Sequence, residues 1–114
     1  MKKLLLVLIA VGALAMAIVA SAQAYEAGWT IYHTGYPTPN SHVYIHNNST
    51  GASGSTYSDG NGYYQFNGLS YGYSYTIHAC SSDFNWLSPS SNFTYPGYNI
   101  RIDLHETIYS PPCF

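Results

Sequence analysis

Apolar residues follow two different patterns along this chain, and the change between them falls near Ala24. From Leu4 to Ala20 the residues form an unbroken apolar run. Beyond Ala24, apolar and aromatic residues alternate with polar ones, and Gly, Pro, Asn and Ser interrupt the alternation. A period of two is typical of β-strands, whose side chains point to the two faces of a sheet in turn. The pattern therefore predicts an apolar leader followed by an all-β domain.

The leader has the charged, apolar, small order of a secretory signal. Lys2 and Lys3 give a basic start, and the small residues of Ser21-Ala22-Gln23-Ala24 stand where a signal peptidase cleaves. The alternative is an uncleaved membrane anchor, but an apolar run of 17 residues is at the short limit for crossing a bilayer. We therefore expect residues 1–24 to be a cleavable signal peptide. Residues 25–114 are then secreted, to the extracellular space or a periplasm, with no membrane attachment after cleavage.

The remaining domain is predicted to be a single antiparallel β-sandwich of seven strands. Strand patterns cover residues 28–34, 42–47, 55–58, 63–66, 74–81, 93–95 and 99–104. The side chains expected to face the core are Val43, Ile45, Tyr64, Phe66, Leu69, Tyr75, Ile77, Ala79, Ile100, Ile102 and Leu104. Short strands with turn residues about every 8–12 positions are typical of immunoglobulin-like sandwiches. The tail 105–114 contains two consecutive prolines and is not expected to continue a central strand.

The strongest turn signal in the chain is Asp59-Gly60-Asn61-Gly62. Asp-Gly and Asn-Gly pairs supply the positive φ angles of tight hairpins, so a hairpin is predicted between 55–58 and 63–66. The alternative is the start of a calcium-binding loop. The later carboxylates that would complete such a ligand shell are missing from this sequence.

Two cysteines, Cys80 and Cys113, belong to the secreted part of the chain. An even pair in a small exported domain forms one disulfide most simply, and this bond would fasten the tail to the domain. An intermolecular bridge through Cys113 is the alternative that the sequence leaves open.

Among the features of the composition, the small number of charged residues says most about possible partners. Both lysines leave with the predicted leader, so Arg101 remains against five carboxylates and the formal charge of residues 25–114 is −4. Binding to nucleic acid or to an anionic membrane needs clustered Lys and Arg, and neither partner is expected. All 13 tyrosines lie in the secreted part. Solubility must therefore depend on uncharged polar groups, on attached sugar or on assembly.

No catalytic apparatus is predicted. The letters Gly68-Leu-Ser70-Tyr-Gly72 match a Gly-x-Ser-x-Gly elbow, but a nucleophile elbow joins a strand to a helix, and here the string is predicted to be a turn between two strands. No His and Asp pairing follows from spacing. His42 and His46 share one strand face but lie about 13 Å apart along an extended chain, too far to hold one metal ion between them. The five histidines are interpreted as surface residues, and no enzyme activity, cofactor or metal is expected.

A longer motif lies between Val43 and Ala79. Its two parts are Ser55-Thr-Tyr-Ser-Asp59-Gly-Asn-Gly62-Tyr-Tyr-Gln-Phe66-Asn-Gly-Leu69 and Tyr75-Thr-Ile77-His-Ala79. This motif resembles the carboxypeptidase regulatory-like domain family, which has a prealbumin-like (transthyretin-like) sandwich. The resemblance implies that Tyr64, Phe66, Leu69, Tyr75 and Ile77 belong to the core. It also implies an accessory domain without catalytic residues of its own.

Candidate surface sites are of two kinds. Aromatic residues too numerous for a core of this size suggest a contact patch, for which the candidates are Phe84, Trp86, Tyr95 and Tyr98. The alternative is that Phe84 and Trp86 cap one end of the sandwich. Sequons for N-glycosylation begin at Asn47, Asn48 and Asn92, although chance matches are common in a sequence rich in Asn, Ser and Thr.

Three functions remain open at this stage. The first is a non-enzymatic structural module that associates with itself or attaches to an extracellular matrix or fibre. The second is a carbohydrate-binding module that uses Trp86, Phe84 and nearby tyrosines. The third is an accessory domain of a secreted peptidase system. The expected partner is thus another copy, another extracellular protein or a polysaccharide.

Overall fold

The computed structural model describes residues 24–113, and this range contains ten β-strands. In chain order they are β1 (Tyr25–Tyr32), β2 (His42–Asn47), β3 (Ser53–Tyr57), β4 (Tyr63–Asn67), β5 (Ser74–Cys80), β6 (Trp86–Leu87), β7 (Ser91–Thr94), β8 (Ile100–Arg101), β9 (Leu104–Glu106) and β10 (Ile108–Tyr109). Except for Ala24, the predicted signal peptide lies outside the described residues.

The strands form two sheets. The six-stranded sheet has the order β10-β6-β5-β2-β3, and β7 also pairs with β5. In the four-stranded sheet β1 is central, with β4 on one side and β8 and β9 along the other. The all-β class is confirmed, and two sheets are present as in a sandwich. Ten strands are found instead of seven because β6 and β10 lie in segments predicted as loop and tail, and because the last predicted strand is divided into β8 and β9.

Both sheets contribute side chains to one core. Its buried members are Val43, Ile45, Tyr64, Tyr75, Ile77, Ala79, Tyr95 and Leu104. Phe66, Leu69, Phe93, Ile100 and Ile102 are partly buried and pack against this cluster. All of the side chains predicted to face the core are therefore in it or against it. Strand β2 has the predicted bounds, and β5 ends one residue early, because both alternate strictly between apolar and polar positions.

The predicted hairpin at Asp59–Gly62 is wrong. A turn does form there: the Gly62 N–H donates to the Asp59 carbonyl (3.0 Å), and the Asp59 carboxylate accepts the N–H groups of Asn61 and Tyr63 (2.8 and 3.0 Å). However, β3 pairs with β2 and β4 pairs with β1, so the turn carries the chain from one sheet to the other. Of its two glycines, only Gly62 has a positive φ, +83°, so the turn lacks the two positive φ angles of a type I′ hairpin turn.

The expectation of a purely antiparallel fold is also wrong. Strands β8 and β9 both run parallel to β1 and pair with it at the same offset: Glu26 lies opposite Ile100, and Thr30 lies opposite Leu104. A short stretch without strand pairing separates the two. Between these two pairings the backbone of Gly28 lies very close to that of Ile102. A Cβ atom added to Gly28 would lie 1.9 Å from the Ile102 carbonyl oxygen. Only glycine fits this contact without a shift of the backbone. The N–H of Ile102 donates to the carbonyl of Ala27 (2.9 Å).

The C-terminal tail contributes to both sheets at their edges, and among the described residues it continues no central strand, as predicted. Strand β9 pairs with β1, and β10 pairs with β6. The two prolines, Pro111 and Pro112, follow β10 and thus do not interrupt it. Beyond them, Cys113 is bonded to Cys80 at a Cα–Cα distance of 5.8 Å. The predicted disulfide within the chain is present in the structure.

We expect the double variant Cys80→Ser/Cys113→Ser to lose about 3–4 kcal/mol of unfolding free energy. The bond joins residues 33 positions apart and restricts the unfolded chain accordingly. Urea denaturation of the variant and of the oxidised protein measures the difference. Wild-type protein treated with a reductant is the control and should match the variant. Free thiols in the untreated protein, or a disulfide-linked dimer, would contradict the assignment.

Candidate functional site: a strand edge beside an aromatic row

Strand β3 is an edge of the six-stranded sheet, because β2 is its one partner among residues 24–113. Hydrogen bonds just beyond both ends of the β2–β3 pairing show which residues of β3 direct their backbone N–H and C=O groups toward β2. The Ser58 N–H donates to the Ser41 carbonyl (2.9 Å), and the Asn47 N–H donates to the Ala52 carbonyl (2.7 Å). Hydrogen-bonded pairs in an antiparallel ladder recur at every second residue, so these two contacts fix which backbone groups of β3 face β2.

By this pattern, the backbone groups of Gly54 and Thr56 face β2. The N–H and C=O groups of Ser53, Ser55 and Tyr57 point away from the sheet, and we call them the β3 edge. Natural edge strands are usually protected by a charged side chain, a proline or a bulge. The sequence of β3 is Ser-Gly-Ser-Thr-Tyr, with neither charge nor proline, and four of its five residues are exposed. The β3 edge is therefore open to pairing with another strand.

An aromatic row runs across the outer face of the same sheet, beginning at the β3 edge. It consists of Tyr57, His42, Tyr44 and His78, from the neighbouring strands β3, β2 and β5. The successive ring centroids lie 4.4, 4.1 and 5.0 Å apart, and the Tyr57–His42 and Tyr44–His78 pairs are stacked. Because the rings cover one another's faces, the row presents mainly ring edges to solvent.

The histidines of the row are held in their neutral form. Burial lowers the pKa of His42, and burial together with the neighbouring His42 lowers the pKa of His78. The row therefore adds no positive charge to the β3 edge at neutral pH. His42 and Tyr44 were recognisable from the sequence as neighbours on one strand face. His78 and Tyr57 were not, because their place beside β2 depends on strand order.

The predicted contact patch is not brought together. Phe84 is exposed, and its carbonyl accepts the N–H of Cys113 (3.1 Å), so it lies beside the C-terminal tail. Trp86 is half-buried and stacks on His33 at a centroid distance of 3.9 Å, with Tyr109 at its edge at 5.3 Å. One face of the Trp86 ring is thus already covered, which fits the alternative that it caps this end of the domain.

The other two patch residues lie elsewhere. Tyr95 was predicted to be exposed, but it is 2% exposed and belongs to the core. Its N–H donates to the carbonyl of Tyr73 (2.9 Å), and its own carbonyl accepts the N–H of Gly72 (2.9 Å). The aromatic residue three positions later, Tyr98, is exposed as predicted.

The three predicted glycosylation residues lie on the surface or close to it. Asn48 and Asn92 are exposed, and Asn47 is half-buried. The Asn47 side-chain oxygen accepts the N–H groups of Ser49 and Thr50 (2.9 and 3.1 Å), which fixes the loop after β2. Glycosylation at these positions stays a prediction.

On the four-stranded sheet, Arg101 is fully engaged. Its guanidinium lies 4.5 Å from the centroid of the Trp29 ring and donates to the Asp103 carboxylate at 3.0 and 3.1 Å. Trp29 in turn contacts Tyr63 edge to face at 5.1 Å. The strongest positive charge of the domain is therefore paired with an acid, and it does not form a basic binding surface.

Two carboxyl groups are buried beneath this sheet, and sequence reasoning gave no indication of them. Glu26 Oε2 lies 2.6 Å from the Tyr64 hydroxyl, which also lies 2.6 Å from the Ile102 carbonyl oxygen. The pKa of Glu26 is raised to about 7, mainly by burial; the hydrogen bond to Tyr64 opposes the rise, and the nearby Asp103 adds to it. The Tyr64 hydroxyl has one proton, so both contacts are satisfied at once when a protonated Glu26 donates to Tyr64 and Tyr64 donates to Ile102.

Glu106 is the second buried carboxyl group. It is fully buried, and burial raises its pKa. The hydroxyls of Ser41 and Thr38 lie close enough to oppose this rise, but neither they nor the carboxyl oxygens have a hydrogen bond of good geometry in the structure. Two buried carboxyls of this kind affect stability.

We predict that Glu26 makes the domain less stable as pH rises. Its stabilisation is complete below the unfolded-state pKa of 4.5 and is lost as pH passes through the folded-state value of about 7, a change on the order of 3 kcal/mol. His42 and His78, with lowered pKa values, act in the opposite direction over part of this range. The measurement is therefore the difference in unfolding free energy between wild type and Glu26→Gln at pH 4.5 and pH 8.

In the Glu26→Gln variant this contribution is absent, so its unfolding free energy should fall less between the two pH values. Because burial also raises the pKa of Glu106, Glu106→Gln should flatten the pH profile as well. The control is Asn67→Ala, an uncharged substitution at the end of β4, which should keep the wild-type pH profile. Equal pH profiles for wild type and Glu26→Gln would contradict the prediction.

No family model matches the chain, and no curated protein matches it. Among residues 24–113, no three or more His, Cys, Asp or Glu side chains are grouped so that they could hold a metal ion. The same part of the chain contains no helix long and apolar enough to span a membrane.

Proposed function

We propose that this protein is a secreted, non-enzymatic interaction module that associates with itself by pairing β3 edges. The observation that carries the proposal is the β3 edge. The backbone groups of the alternate residues Ser53, Ser55 and Tyr57 point away from the sheet, and the strand has no protecting charge or proline. Main-chain pairing at such an edge provides affinity without needing charged side chains. The leader-like first 24 residues and the Cys80–Cys113 disulfide support secretion into an oxidising environment.

A second copy of this chain suits the edge in a definite register. If two β3 strands run antiparallel about Ser55, each Ser55 faces the other, and Ser53 of one copy faces Tyr57 of the other. Each of these three residue pairs then exchanges two hydrogen bonds. A small side chain lies opposite a large one, so the tyrosines do not collide. The two six-stranded sheets become one continuous sheet with an isologous, two-fold interface.

The same edge serves attachment to a different extracellular protein or fibre, if that partner supplies an extended uncharged strand. The motif between Val43 and Ala79 suggests a prealbumin-like accessory domain of the carboxypeptidase regulatory-like type. Such a domain fits this proposal because it acts by binding another protein and has no catalytic residues. A role beside a secreted peptidase rests on that resemblance alone. The two-sheet architecture supports the resemblance at the level of fold class.

The variant Ser55→Pro tests the proposal. It removes an outward N–H that has no role in the β2 pairing, and the preceding Gly54 already lies in a strand, which a following proline favours. We expect wild-type protein to form dimers or larger assemblies, and Ser55→Pro to weaken them about tenfold or more. Light scattering coupled to size exclusion, across a range of concentrations, measures this effect.

The control is Ser55→Thr, which keeps the N–H and favours the extended conformation. It should assemble as wild type does, and the unfolding free energy of both variants in urea should stay within about 1 kcal/mol of the wild-type value. A wild-type protein that stays monomeric at millimolar concentration would refute self-association. Assemblies unaffected by Ser55→Pro would place the interface elsewhere and refute the role of the β3 edge.

A further inference from the structure

A groove lies on the outer face of the six-stranded sheet, next to the aromatic row. Its volume is about 470 Å³, within the range of small-molecule sites. Strands β2, β3 and β5 form its floor, so it is built on paired strands. The residues that line it include Tyr44, His46, Asn48, Ser53, Thr76 and His78.

None of the residues that line the groove is Asp, Glu, Lys or Arg. A phosphate or carboxylate ligand would find no cation there, and a cationic ligand would find no carboxylate. The polar groups present are amides, hydroxyls and imidazoles, which both donate and accept hydrogen bonds. The lining thus suits a neutral ligand that carries many hydroxyl groups.

The polar groups of the groove are held in place before any ligand arrives. The Asn48 amide donates to the Thr76 hydroxyl (2.9 Å), and the Thr76 hydroxyl donates to the Asn92 side-chain oxygen (2.6 Å). On the opposite side, His46 Nδ1 and the Ser53 hydroxyl are hydrogen-bonded at 2.7 Å, which leaves His46 Nε2 for a second partner. Such preorganisation reduces the entropy lost on binding.

One wall of the groove is aromatic. Tyr44 and His78 stack at a centroid distance of 5.0 Å, and both line the groove. The edges of these two rings provide apolar surface for the C–H groups of a sugar, while nearby hydroxyl and amide groups bond to its oxygens.

We infer that this groove, lined by Tyr44, His46, Asn48, Ser53, Thr76 and His78, is a binding site for a neutral oligosaccharide. The site is distinct from the β3 edge, which uses outward backbone groups, although Ser53 contributes a side chain to one and its backbone to the other. The domain would thereby hold a neutral sugar on a sheet face and a second copy on a strand edge.

NMR titration of the protein, produced in a host that does not glycosylate, tests the inference. The probes are maltotriose, cellotriose and chitotriose at up to about 10 mM. We expect at least one of them to shift the resonances of Asn48, Thr76 and His78 in a saturable way. Asn48→Ala should weaken that binding about tenfold, in keeping with the loss of one fixed hydrogen-bonding side chain. Thr76→Val, which keeps the side-chain shape, should weaken it similarly.

The matched control is Asn67→Ala, which truncates an exposed asparagine at the end of β4 and should leave the affinity unchanged. No groove shift with any of the three sugars would overturn the inference, as would shifts centred on Trp86 or binding unaffected by both groove variants. Repeating the titration with Ser55→Pro separates the two proposals. Sugar binding that persists in a monomeric variant supports the groove alone, and assembly without sugar binding supports the edge alone.

Discussion

The fold depends on a buried hydrogen-bonded junction where the chain passes from one sheet to the other. Thr30 is at its centre: its N–H donates to the Gly62 carbonyl (2.8 Å), and its hydroxyl donates to the Thr38 carbonyl (2.7 Å). The Ser58 hydroxyl donates to the same Thr38 carbonyl (2.9 Å). A Cβ atom on Gly62 would lie 2.9 Å from the Thr30 carbonyl oxygen, so no side chain fits there. Buried polar groups are costly unless paired, and these pairings hold the crossing in one arrangement.

This junction also determines which strand of the six-stranded sheet has an unpaired edge. Because the turn at Asp59–Gly62 sends β4 to pair with β1, β3 keeps a partner on one side and none on the other among the described residues. A hairpin at the same turn would have covered β3 with β4 and placed the unpaired edge elsewhere. The crossing therefore leaves β3, together with Tyr57 at the end of the aromatic row, at the margin of the six-stranded sheet. The surface proposed for assembly follows from the connection between the sheets.

Local sequence patterns were sufficient for the strands but not for their partners. The alternation from His42 to Asn47 predicted β2 residue for residue, because side-chain burial on one face is a local property. The turn at Asp59–Gly62 was located correctly but interpreted as a hairpin, since the same turn residues serve a connection between sheets. Tyr95 is buried although a tyrosine in a loop-flanked short segment gave no reason to expect it.

The longer-range features escaped prediction for related physical reasons. The parallel pairing of β8 and β9 with β1 joins residues far apart in the chain, and no local pattern encodes such a contact. Gly28 gave no turn signal because its role is a close approach to Ile102, not a special φ angle. The groove needs residues from three strands, and its members could be grouped only once the order of those strands was known.

The scarcity of charged residues and the burial of Glu26 and Glu106 both affect how strongly two copies of the domain repel each other. With one arginine against five carboxylates, the formal charge of residues 25–114 is −4, and the raised pKa values of the two buried glutamates act to make it less negative. A net charge of this size is ordinary for a small domain, so the electrostatic opposition to association depends on where the charged side chains lie. The side chains of β3 add no charge near the interface, so association there has little electrostatic opposition to overcome. An open strand edge on such a molecule is tolerable when pairing at that edge is its purpose, and this is the physical reason to favour assembly over an inert monomer.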